Sequence, residues 1–91
     1  MLNTMVITKL TKSNYDEWGK MFGGNAGIRA KFMRGTMVGK VDENTAIITA
    51  EVFDREGMKE ALSSPEMNKQ VEEMGIERTI YMLQPALAPG S

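Results

Sequence analysis

The chain has 91 residues, eleven basic and twelve acidic side chains, a formal net charge of −1, no cysteine and no histidine. Composition therefore excludes disulfides and thiolate metal sites, and it removes the usual general base together with the commonest metal and haem ligand. One domain over residues 1–91 is the expectation; a domain this small buries only about 60–65% of the surface of its unfolded chain, so pairing with a second copy is a common source of stability.

The charges are interspersed, without the basic stripe that neutralises phosphates, so a nucleic-acid partner is not expected. No apolar run approaches the ~18 residues of a membrane span. The first residues lack a basic segment followed by a long apolar core, so no secretory leader is expected and the default location is the cytoplasm. Nine methionines stand out, because methionine fills irregular apolar gaps. They suit either a soft core or dimer interface, or a pliable pocket for an apolar ligand.

Residues 2–10 read as a strand, with Met5 and Ile7 on one side and Thr4, Val6, Thr8 and Leu10 on the other. Apolar residues on both sides imply that both faces are covered. Ser13 reads as a helix cap with Asp16 as its partner. Tyr15, Trp18, Met21 and Phe22 then form one apolar stripe at helical spacing. Gly23 and Gly24 interrupt that helix, and a second helical piece over 26–33 starts from Asn25.

Gly35 ends the piece, and a short strand runs from Thr36 to Val41. Asp42-Glu43-Asn44 turns the chain into a central strand over 44–53, which makes an antiparallel hairpin. Ala46, Ile48, Ala50 and Val52 give that strand one apolar face of the kind a helix covers. Ile47, Thr49, Glu51 and Phe53 give a mixed face of the kind a subunit interface carries. Asp54 caps the next helix, with Phe53 and Met58 at the two positions of a hydrophobic staple. Ser63-Ser64-Pro65 breaks it, and Ser64 and Pro65 open another. Gly75 ends that one in a left-handed turn closed by Ile76. The last strand spans 78–83 and stops at Pro85. Residues 85–91 are expected to form a flexible tail.

The order strand, helix, strand, strand, helix, strand predicts an α+β, ferredoxin-like βαββαβ fold, a four-stranded antiparallel sheet with helices on one face. The stretch from Val52-Phe53-Asp54 through Ser63-Ser64-Pro65-Glu66-Met67 resembles the dimeric α+β barrel superfamily, in its antibiotic-biosynthesis-monooxygenase-like part. The region around Trp18 also looks like small uncharacterised bacterial and marine proteins of this fold. The resemblance implies a homodimer in which the bare sheet faces of two copies pack together. Physical reasoning agrees, since Ile47, Phe53 and one face of the last strand would otherwise form a large exposed apolar patch.

Three functional readings follow. The first is a small-molecule-binding protein whose cavity, between sheet and helices, holds a fatty-acid-like or other apolar ligand. Its candidate ligand-binding residues are Trp18, Phe22, Ile28, Arg29, Phe32, Ile48 and Tyr81, with Arg29 or Lys31 meeting a carboxylate at the mouth. The second comes from the resemblance: a cofactor-free monooxygenase acting on quinol or polycyclic aromatic substrates, with Trp18, Phe22, Tyr81 and Arg29 as its candidates. The haem-degrading members of the superfamily rely on an axial histidine, so that activity does not carry over. The third is a structural or regulatory dimer with no ligand, in which Trp18 and Phe22 are core aromatics, Tyr81 an interface residue and Arg29 a surface cation. No metal and no cofactor is expected under any of the three. The paired acids Asp42-Glu43 and Glu72-Glu73 read as solvated charges.

Overall fold

A computed structural model describes residues 2–84. Four strands, β1 Thr4–Leu10, β2 Met33–Asp42, β3 Thr45–Val52 and β4 Ile76–Met82, form one sheet in the order β2-β3-β1-β4. Every adjacent pair is antiparallel. The helices are α1 Tyr15–Gly24, α2 Ala26–Arg29, α3 Arg55–Leu62 and α4 Pro65–Met74. This is the α+β, ferredoxin-like arrangement that the pattern of elements predicts. The expected stop at Pro85 and the tail from Ala86 to Ser91 lie outside the described residues.

The two central strands alternate with a period of two, as a half-covered sheet requires. Thr4, Val6, Thr8 and Leu10 of β1 are buried, as are Ala46, Ile48, Ala50 and Val52 of β3. Their core is completed from α1 and α4 by Tyr15, Trp18, Met21, Phe22, Val71 and Met74. The reverse face carries Met5, Ile7, Ile47 and Thr49, with Tyr81 beside Met5 and Met37 beside Thr49. No described element covers it, and Met37 is 70% exposed.

Local chemistry sets the boundaries. Asp54 accepts a hydrogen bond from Gly57 N at 3.0 Å and starts α3. Ser64 accepts from Met67 N at 3.2 Å and starts α4, with Pro65 at its first position. Replacing Asp54 by alanine removes the partner of an otherwise orphaned amide and is expected to cost about 1 kcal/mol in urea unfolding. Phe53 lies 5.2 Å from the Arg34 guanidinium, measured to the ring centroid.

Six expectations are corrected. The cap of α1 is Asn14, whose side chain accepts from Glu17 N at 2.9 Å. Ser13 is unavailable because its hydroxyl donates to Met74 O at 2.9 Å, tying the start of α1 to the end of α4. Helix α1 continues through Gly23 and Gly24, and the Asn25 amide donates back to Met21 and Phe22 carbonyls. Asn25 makes no side-chain cap on α2, because its amide nitrogen donates instead to Gln70 Oε1 and Met21 Sδ, both at 3.1 Å. The second helical piece stops at Arg29, and β2 starts at Met33. Gly35 adopts a φ of 64° within β2 and absorbs a register shift between Arg34 and Met37 rather than ending an element. Strand β4 starts at Ile76, two residues earlier than expected, because Ile76 pairs with Leu10 and is buried.

Arg34 grips Glu51 across β2 and β3 with two hydrogen bonds of 3.1 Å. Paired with that guanidinium, the Glu51 carboxyl falls from 4.5 to about 2. A carboxyl depressed by folding binds fewer protons folded than unfolded, so its stabilising contribution is present above 4.5 and is lost as pH falls toward 2. The pair is largely solvated, so the effect is small. A Glu51→Gln variant is expected to lose less thermal stability than the parent over that acid window in a melting series.

Candidate functional site

Strands β1, β3 and β4 form the floor of a cavity roofed by the helices. Its volume is about 90 Å³. The walls are mostly apolar: Val6, Ile48, Ile76 and Ile80 from the sheet, Trp18, Met21 and Phe22 from α1, Ile28 from α2, Phe32 and Met33 beyond it, and Met58, Ala61, Leu62 and Met67 from α3 and α4. A second hollow of about 190 Å³, lined also by Ser64, Glu66 and Gln70, shares Asn25, Ile28, Ala61 and Met67 with the first. Those four residues are therefore the partition between the inner chamber and a more polar outer one.

Trp18 is 3% exposed and anchors the roof. Phe22, one turn on, stacks against it with centroids 4.8 Å apart and planes at 26°, and Tyr15 tilts against its other side at 5.8 Å. The helical stripe read from the sequence creates this ladder, since residues four apart share a helix face. The Asn25–Gln70 hydrogen bond joins the end of α1 to α4 across the partition.

Four polar residues reach the chamber: Thr8, Asn25, Arg29 and Arg78. Among the residues lining it there is no carboxylate. Arg29 lies over the Phe22 ring, 3.5 Å from its centroid, and donates to the Phe22 carbonyl. Partial burial lowers its pKa from the usual value, and burial lowers that of Arg78 in the same direction. Thr8 is 1% exposed, and its hydroxyl has no hydrogen-bond partner among the described residues.

Six of the seven residues singled out in the sequence meet here: Trp18, Phe22, Ile28, Arg29, Phe32 and Ile48. Tyr81 does not. It stands beside Met5 on the reverse face of the sheet and is 46% exposed. Lys31 is exposed and does not line the chamber. Thr8 and Arg78 escaped the sequence reading. The signal for Thr8 was present, since it shares a strand face with Val6 and Leu10. Arg78 was placed at the start of its strand, where a charge draws no notice.

No family model and no curated protein sequence matches the chain. Solved structures match its fold. SnoaB, a cofactor-independent oxygenase from Streptomyces nogalater, superimposes with a TM-score of 0.64 at 14% identity, over 97% of this chain and 98% of that one. An antibiotic biosynthesis monooxygenase gives a TM-score of 0.57 at 9% identity, over 96% and 100%. The hydroxynitrile lyase of Passiflora edulis gives 0.58 at 12% identity, over 94% and 96%. The fold is thus the ferredoxin-like one of the antibiotic-biosynthesis-monooxygenase-like proteins. It carries an oxygenase in one case and a lyase in another, so reaction type follows from the site and not from the architecture.

Proposed function

We propose that this protein binds a small, largely apolar organic molecule in the chamber between sheet and helices. The observation that carries the reading is the chamber itself: a partly open cleft, apolar-walled and furnished with few polar groups, as small-molecule sites are. The Trp18–Phe22 stack favours a flat aromatic ring, and the four wall methionines, Met21, Met33, Met58 and Met67, allow the walls to adapt. A fatty acyl chain is the other occupant suited to such walls. Trp18 is the chain's single tryptophan, so its fluorescence reports on the chamber directly. Titration with naphthalene derivatives and medium-chain acids is expected to give a saturable change in emission. Native mass spectra should show the matching adduct. Flat titrations across the panel would leave the reading without support and favour a ligand-free dimer.

A second reading, cofactor-free oxygenation of a quinol or polycyclic aromatic substrate, is supported by the fold shared with SnoaB. In such chemistry an electron-rich, ionised substrate reacts with oxygen directly. Oxygen uptake with naphthohydroquinones above their spontaneous rate is the required result, with a fall in Trp18→Phe and no change in Tyr81→Phe.

Either reading is accompanied here by a proposed homodimer joined through the reverse sheet face. Met5, Ile7, Met37, Ile47 and Tyr81 give that face its apolar character. Sedimentation is expected to find a dimer that Ile47→Glu converts to monomer.

A further inference from the structure

We infer that the chamber contains an oxyanion subsite formed by Arg78 and Thr8, so that its ligand is an organic acid anchored by an ionised oxygen. The inference rests on the proposed chamber and adds the chemical class of its occupant. Thr8 of β1 and Arg78 of β4 are directly paired in the sheet register and share the face that looks onto the helices. Both line the chamber. The Thr8 hydroxyl is fully buried and unpartnered among the described residues, a condition that costs about 1–3 kcal/mol unless an acceptor or donor arrives.

The guanidinium is the second half of the argument. Arg29 is already engaged by the Phe22 ring and carbonyl. Arg78 is half-buried and has no ion pair or hydrogen bond among the described side chains. Arginine does not relieve such burial by losing its proton, because it stays charged in proteins. A cation held beside apolar walls with no carboxylate among the chamber's lining residues is stabilised by an anionic ligand, and a guanidinium presents a planar fork suited to a carboxylate or phenolate. The neighbouring hydroxyl supplies one more donor. Apolar walls then hold the body of the molecule while these two residues hold its charge.

Ionisation of the bound ligand is the readout. The probe is 4-nitrophenol, whose absorbance distinguishes phenol from phenolate. Bound to the parent protein, its titration midpoint is expected about one to three units below that of the free probe. Arg78→Met should return the midpoint to the free value or above it, and Thr8→Val should give a smaller return. Nitrobenzene, which has no acidic group, should bind parent and Arg78→Met alike. That equality shows that the variant keeps its chamber. Octanoate displacing 4-nitrophenolate from the parent, and not from Arg78→Met, would assign the carboxylate class to the subsite as well. Octanoate failing to displace would restrict it to phenolates. A bound probe whose midpoint is the same in parent and Arg78→Met overturns the subsite while the chamber stands. Failure of both nitrobenzene and 4-nitrophenol to bind overturns the chamber and the subsite together.

Discussion

Gly75→Ala is expected to lower stability by about 2–4 kcal/mol, which for a domain of this size is a fall of roughly 10–25 °C in melting temperature. Two costs add. Gly75 closes α4 with φ 64° and ψ 45°, a left-handed conformation that costs a residue with a β-carbon about 1–2 kcal/mol. The added carbon would also lie 2.1 Å from Thr11 Oγ1 and 2.7 Å from the Lys12 amide nitrogen. Those atoms are not free to move. Thr11 N donates to Gly75 O at 2.9 Å and Lys12 N to Met74 O at 3.1 Å, while the Thr11 and Ser13 hydroxyls donate to the same two carbonyls. The segment between β1 and α1 is therefore the cap of α4, and moving it loosens both helices at once. Gly35 supplies the control. Its φ is also 64°, but nothing lies within 4 Å of the position a β-carbon would take. Gly35→Ala should show the backbone cost alone. Equal losses in the two variants, measured by urea denaturation, would mean that the packing against Thr11 and Lys12 contributes nothing.

The parts of this fold that were legible in the sequence are those set by local pattern. Strand β3 alternates small apolar and mixed residues without exception, and Asp54, Ser64, Pro65 and Gly75 each occupy the position that their own chemistry favours. The parts that were not legible depend on a distant partner. Ser13 and Asn14 are both good caps, and the choice between them is made by Met74, 61 residues from Ser13. Asn25 is diverted from capping by Gln70 on α4. Gly35 reads as a break in isolation, yet antiparallel pairing of β2 with β3 on both sides of it carries the strand through.

The site follows the same division. Trp18, Phe22 and Ile48 are placed by helical and strand periods, and the chamber contains them. The exclusion of Tyr81 was available from the same alternation, since Ile80 and Tyr81 cannot share a face. Arg78 could not be recognised before its strand start was known, because pairing of Ile76 with Leu10 is what brings Arg78 opposite Thr8. A half-buried arginine is set by register, which composition does not reveal.

Trp18→Ala is expected to be the most damaging single truncation in the core, at about 3–5 kcal/mol. The indole is 3% exposed and touches aromatic neighbours on two sides, so its removal leaves Phe22 without its stacking partner at 4.8 Å and Tyr15 without its own at 5.8 Å. The void would also merge with the existing chamber of about 90 Å³, which already forfeits packing contacts. Relaxation of the roof is hindered, because the Asn25–Gln70 bond holds the end of α1 against α4. Trp18→Phe keeps a ring in place and should lose roughly half as much, by the smaller volume removed. The two variants separate a structural tryptophan from a ligand-facing one. A purely structural residue would change stability in both and ligand affinity only in proportion to the unfolded fraction. A ligand-facing residue would weaken binding of a flat aromatic ligand in Trp18→Phe under conditions where that variant is fully folded. Thermal melts together with equilibrium dialysis of the same samples decide between them, and full retention of affinity in folded Trp18→Phe would remove Trp18 from the site.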